Sequence, residues 1–121
     1  MISFTIDVDP HAKGRPRFGN GRAYTDAKTR KWEKYFTMAA RAHKPLKPFT
    51  GPVSLDVTFF IQRPKSVKRL APICRPDIDN FLKATMDAMH EFWVDDAQVI
   101  YVSCAKGYDA LGHINVRVWE V

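Results

Sequence analysis

Ile2, Phe4, Ile6 and Val8 alternate with Ser3, Thr5 and Asp7 at the start of the chain. Successive side chains of a strand point to opposite faces, so this period of two predicts a half-buried strand that Pro10 ends. Glycines and prolines then break the pattern, and residues 11–22 read as a loop carrying Lys13, Arg15, Arg17 and Arg22. Thr25 is placed to cap a helix running to about His43, whose apolar stripe is Trp32, Tyr35, Phe36, Ala39 and Ala42. The clearest alternation follows a turn-rich connection: Val53, Leu55, Val57, Phe59 and Ile61 share one face of a second strand. Residues 63–75 form a long basic loop with Arg63, Lys65, Lys68, Arg69 and Arg75. Helical spacing returns from Asp77 to about Glu91, with Ile78, Phe81, Leu82, Thr85 and Met89 on one side. A less patterned strand, read as central in the sheet, covers residues 99–105, and residues 107–112 read as a hairpin connection. Ile114, Val116 and Val118 then alternate with His113, Asn115 and Arg117 in a last strand. The expected architecture is α/β (α+β), one domain over residues 1–121, with order β-α-β-α-β-β and a mixed sheet packed by two helices.

Charge changes the picture more than composition does. Residues 1–75 hold 16 Lys and Arg against 5 Asp and Glu, whereas residues 76–121 hold 3 against 8. Asp77, Asp79, Asp87, Glu91, Asp95 and Asp96 crowd into one short stretch. A basic surface suits a polyanion, and a local group of carboxylates suits a hard divalent cation. Together they point to nucleic acid that is cut as well as held. Cys74 and Cys104 make neither a disulfide framework nor a metal-type spacing, and His11, His43, His90 and His113 are scattered. No apolar run approaches the ~20 residues of a membrane span. The first residues lack a signal-peptide pattern, so the expectation is a cytoplasmic protein with reduced thiols and no membrane partner.

The acids have a definite geometry. Pro76 disfavours helix at Arg75, which makes Asp77 a natural N-cap and puts Asp79 in the first turn. Residues two apart inside a helix differ by ~200°, but a cap residue is not helical, so both carboxylates can address one cation beyond the helix end. Lys83 lies one turn after Asp79 on the same side, away from the apolar face. The same residues also read as an ordinary helix start, with a cap, an acid favoured by the helix dipole and an ion pair. Asp95 and Asp96 precede a strand. A straight continuation of the helix would leave them more than ~20 Å from Asp77, so they join the site only if the chain folds back. On their own they read as a solvated turn.

Arg75-Pro76-Asp77-Ile78-Asp79-Asn80-Phe81-Leu82-Lys83, then Asp87-Ala88, then Trp93-Val94-Asp95-Asp96-Ala97-Gln98-Val99 resembles the RusA family of Holliday junction resolvases. The segment Pro10-His11-Ala12-Lys13-Gly14-Arg15-Pro16-Arg17 resembles that family's N-terminal loop. The resemblance implies a Mg²⁺-dependent (or Mn²⁺-dependent) homodimeric endonuclease that resolves four-way DNA junctions by paired nicks in recombination and repair. It implies that Asp77, Asp79 and Asp96 bind metal, that Lys83 is catalytic, and that Asn80 belongs to the site with a less defined role. Asp95 is then structural. The chain departs from the family pattern after the second helix, where His90-Glu91 replaces Asn-Gly and the run to Asp95 is one residue shorter.

Lys13, Arg15, Arg17, Arg69 and Arg75 are the candidate phosphate contacts, joined at the DNA surface by Asn80. Phe18 stands either as a wedge between bases or as an anchor of its loop. Phe92 and Trp93 stand as core residues, dimer contacts or stacking platforms. Two other functions compete with junction resolution: a non-catalytic DNA-binding protein, and a metal nuclease acting on other branched DNA or on RNA.

Overall fold

Val53, Leu55, Val57 and Phe59 have no solvent exposure, and the strand that carries them is the spine of the structure. A computed structural model describes residues 1–13 and 26–121 with their side chains, and residues 17–19 and 22–24 by their backbone. The strands are β1 (Ile2–Ile6), β2 (Arg17–Gly19), β3 (Arg22–Tyr24), β4 (Val53–Gln62), β5 (Val99–Asp109) and β6 (His113–Glu120). The helices are α1 (Ala27–Ala40) and α2 (Ile78–Ala88), and a short 3-10 turn, Asp96–Gln98, precedes β5. Four strands form one mixed sheet in the order β1-β6-β4-β5. The β1–β6 and β6–β4 pairs are antiparallel, and β4–β5 is parallel. A parallel pair needs a long crossover, and the basic loop, α2 and the 3-10 turn supply it. The single α+β domain thus has the class and helix count that the pattern predicts.

Register sorts the two faces. Leu55 aligns with Val102 and Val118, and Val57 with Cys104 and Val116, on the face that meets the helices. Phe36 and Ala40 of α1 and Phe81 and Ala88 of α2 join these strands in one core. Phe81 lies against Phe59 at 5.4 Å between ring centroids. Burial of each large side chain contributes ~1.5–3 kcal/mol, which holds α2 to the sheet by its apolar side and leaves the Asp79–Lys83 side outward. On the opposite sheet face Asp56 pairs with Arg117, and Thr5 donates to Asn115.

Several expectations change. The segment read as a loop at residues 11–22 contains one strand of a small antiparallel hairpin, β2–β3, which three-residue strands are too short to announce by periodicity. The cap of α1 is Asp26, whose carboxylate accepts from the Thr29 amide at 2.9 Å, and Thr25 lies outside the described residues. The buried stripe of α1 runs through Thr29, Phe36, Thr37 and Ala40, while Tyr35 and Ala42 are exposed. Both threonines bury without penalty because Thr29 donates to Asp26 and Thr37 donates to the Ala88 carbonyl at 2.8 Å. Strand β5 is an edge, not central, and extends through Gly107 to Asp109. Its weak alternation is that of an edge, open to solvent along one side. Phe92 and Trp93 are each 2% exposed, so they are core residues rather than contacts for a second subunit or for bases.

Candidate active site

The site starts at the α2 N-terminus. Asp77 is the N-cap by backbone conformation, but its side chain makes no capping hydrogen bond. The amide of Asn80 bonds to the Asp77 carbonyl instead, at 3.1 Å. The Asp77 carboxylate therefore points away from the helix, exposed, with the Arg75 guanidinium at 3.8 Å. Asp79 follows in the first turn, also exposed and without an ion-pair partner among the described residues. Lys106 of β5 fixes where this turn sits. Its ammonium donates to the carbonyls of Cys74 at 2.8 Å and Pro76 at 3.0 Å. A strand thereby holds the end of the basic loop and the first residues of α2. Lys106 escapes sequence reading because its partners are backbone oxygens about thirty positions earlier.

Asp96 comes from the other end of the crossover. After α2 the Phe92 amide turns back to the Met89 carbonyl at 2.9 Å, and Trp93 pairs in parallel with Phe49. The following turn is closed by a capping box: Asp95 accepts from the Ala97 amide at 2.8 Å, and Gln98 accepts from the Asp95 amide at 2.7 Å. Gln98 also accepts from Val94 and donates to the carbonyls of Phe49 and Gly51. The Asp95 carboxylate is thus occupied by its own backbone. The Asp96 carboxylate faces outward and accepts a hydrogen bond from the Trp93 indole at 2.8 Å.

These pieces meet along the outer side of α2. Asp79, Leu82, Lys83, Met86, Asp87 and Asp96 line one cavity of about 220 Å³. The chain does fold back, and it brings Asp96 to the cavity that Asp79 and Lys83 line. Asp77 does not line that cavity and stands at the exposed helix end. Lys83 is 3.7 Å from Asp87, one turn further along, so its ion-pair partner among the described residues is Asp87 rather than Asp79.

Asp87 holds a second cation more closely. Lys13 lies 2.8 Å from Asp87 and 2.9 Å from Glu33 of α1, with only 17% of its side chain exposed. Burial alone would lower the Lys13 pKa, but hydrogen bonds and attraction from Asp87 and Glu33 outweigh it and raise the pKa. The Lys13 amide also donates to the Asn80 carbonyl at 3.1 Å. Upstream, the Trp32 indole donates to the Asp9 carbonyl, and His11 bonds to Thr29 and stacks on Trp32. Residues 9–13 are therefore held against α1 and the start of α2. In this arrangement Lys13 ties its segment to both helices.

The remaining basic residues divide. Arg69 and Arg75 are exposed. Arg63 lies over the Tyr108 ring at 4.5 Å and donates to the Arg69 carbonyl, which ties the 63–75 loop to β5. Arg15 and the side chains of Arg17 and Phe18 lie outside the described residues.

Hard oxygen donors fit a magnesium-like ion, which keeps several waters and takes only one or two carboxylates. Asp79 and Asp96 offer that set. Among the described residues, no group of three or more Asp, Glu, His or Cys side chains is gathered closely enough to hold a metal ion together, so Asp77, Asp79 and Asp96 do not converge as a set of three.

A protein of Bacillus subtilis (strain 168), "Uncharacterized protein YqaN", is 34% identical over 99% of this chain and 96% of its own length. The "Crossover junction endodeoxyribonuclease rusA" of Lactococcus phage r1t is 34% identical over 58% of this chain and 56% of its own length. The sequence profile of the family described as "Endodeoxyribonuclease RusA" matches residues 7–119, which include every residue of the cavity, and the chain belongs to the RusA endodeoxyribonuclease family.

Proposed function

We propose that this protein is a Mg²⁺-dependent endonuclease that resolves four-way DNA junctions by paired nicks, in the cytoplasm, during recombination and repair. The observation that carries the reading is the cavity itself: a carboxylate from α2, a carboxylate from the turn before β5 and the Lys83 ammonium open onto one space. Asp79 and Asp96 would hold the metal with Asp77 beside them, and Mn²⁺ is an alternative ion of similar preference. When bound, the metal supplies an activated water and neutralises charge on the phosphate. Lys83 is placed to stabilise the negative charge that develops on the phosphate oxygens and leaving group. Asp87, shared by Lys13 and Lys83, keeps Lys83 on the cavity side of α2. Arg15, Arg17, Arg69 and Arg75 would hold the DNA backbone through charge, with Asn80 beside the cut.

A four-way junction has approximate two-fold symmetry, and one chain offers one such cavity. Two copies are therefore required for paired incision. The outer edge of β5 offers exposed Ile100, Tyr101 and Val102 and a free row of backbone groups. Two such edges can pair about a two-fold axis, and this is the surface proposed for the homodimer.

The deciding experiment sets an immobile four-way junction beside a linear duplex of the same sequence, each strand labelled. The expected result is Mg²⁺-dependent nicks in two opposed strands of the junction and an intact duplex. Binding without any cut in Mg²⁺ or Mn²⁺ would make the protein a DNA-binding module. Equal cutting of flaps, RNA and junctions would make it a less selective nuclease.

A further inference from the structure

We infer that Trp93 is a positioning residue for Asp96, which orients that carboxylate before the metal arrives. The inference rests on the proposed metal role of Asp96. The Trp93 side chain is 2% exposed, and its indole nitrogen lies 2.8 Å from Asp96 Oδ1. An indole N–H is a donor only, so it can satisfy one carboxylate oxygen and nothing else. With Oδ1 engaged from inside the protein, Oδ2 is left for the cavity.

The indole is held rigidly. The Phe49 amide donates to the Phe92 carbonyl at 2.8 Å, and the Val94 amide donates to the Phe49 carbonyl at 3.3 Å, so Trp93 sits between two backbone bonds to Phe49. Gln98 fastens the far side of the same turn to Phe49 and Gly51. Asp96 is thus fixed at both its backbone and its carboxylate, whereas the Asp77 carboxylate has only the exposed Arg75 guanidinium 3.8 Å away. Groups that orient metal-binding carboxylates in this way commonly set metal affinity by 10–100-fold when removed.

The test is Trp93→Phe, which keeps an aromatic ring in the core and removes the donor. Phe92→Leu serves as a comparison that disturbs the same core without touching Asp96. Mn²⁺ binding to the DNA-free protein is followed by electron paramagnetic resonance of the free ion, alongside the Mn²⁺ and Mg²⁺ dependence of junction cleavage and junction binding in EDTA. Trp93→Phe should weaken Mn²⁺ binding about 10–100-fold. It should shift the cleavage curve to higher metal by a similar factor, with most of the rate regained at saturation and binding in EDTA unchanged. Phe92→Leu should lower the melting temperature and leave metal affinity within about twofold. If Trp93→Phe does not fold, benzothienylalanine at position 93 replaces the N–H with sulfur in the same shape, and the same shift is expected. Wild-type metal affinity in either Trp93 variant overturns the inference, as does an equal loss in Phe92→Leu. Asp96→Asn separates the two levels: if it also keeps wild-type metal affinity, the metal site itself is misplaced; if it loses binding while the Trp93 variants do not, only the positioning role fails.

Discussion

At the scale of single residues, the two ends of the crossover make different demands on a carboxylate. Asp77 has the backbone of a cap without the side-chain bond of one. Asparagine caps helices as well as aspartate does, so Asp77→Asn should leave the melting temperature nearly unchanged. If Asp77 supports the metal, the same variant should lose nicking while binding junctions as tightly as before or tighter, since a negative charge near phosphate is gone. Asp79→Asn and Asp96→Asn should behave alike in a gel-shift and cleavage pair. Wild-type cleavage in any of the three removes that residue from the site. For Lys83→Ala a rate loss of about 10²–10³-fold is expected, the scale of removing one stabilising donor. Saturating single-turnover assays measure it, and a variant that only needs more metal would instead make Lys83 an organiser of the carboxylates.

The element scale concerns how α2 and the turn before β5 are held in relation to each other. The Gln98 side chain makes four hydrogen bonds: it accepts from the Val94 and Asp95 amides, which closes the turn, and donates to the Phe49 and Gly51 carbonyls, which joins the turn to residues 49–51. Gln98→Ala strands partly buried backbone groups and should cost ~1–3 kcal/mol in chemical denaturation. A second tie joins the end of α1 to the chain beyond α2, where Arg41 binds both oxygens of Glu91 at 2.9 and 3.1 Å through one nitrogen and a second nitrogen reaches 3.0 Å. The hydrogen bonds from Arg41 hold Glu91 below its ordinary pKa of 4.5. A carboxylate depressed by folding adds stability above its unfolded pKa and loses it as the pH falls through the folded value. Melting curves of wild type and Glu91→Gln should therefore differ at neutral pH and converge below pH 4.5. A constant gap down to strong acid would show that the ion pair contributes nothing.

At the scale of the whole molecule the questions are charge and assembly. Arg69 and Arg75 stand exposed on the loop that leads into α2. Replacing both by alanine should weaken binding to junction and duplex alike and flatten the log–log salt dependence by about one to two units. An unchanged slope would take this loop away from the phosphates. Light scattering should give twice 13.9 kDa without DNA. Tyr101→Lys with Val102→Lys places like charges on the proposed paired edges and should yield monomers that still fold. Monomers that retain coupled cuts in opposed strands would count against a preformed dimer, and an unchanged dimer would move the interface off β5.

What was legible in the chain was what local periodicity and local chemistry settle. Alternation in residues 53–61 determined β4 and its buried face, and helical spacing after Pro76 determined α2 with Asp79 and Lys83 on its outer side. None of these depends on distant residues. The tertiary structure decided the rest because the deciding partners are far apart in sequence. Pairing of β5 with only β4 made it an edge, and no pattern within β5 carries that information. Lys13 reads as one more basic loop residue until Glu33 and Asp87 converge on it from two helices. Phe92 and Trp93 read equally as core residues, dimer contacts or stacking platforms until the bridge to Phe49 places them in the core. That same bridge turns the chain back and delivers Asp96 to the cavity. Side-chain spacing reports which residues share a face of one element, whereas the meeting of two elements depends on burial and backbone pairing summed over the whole fold.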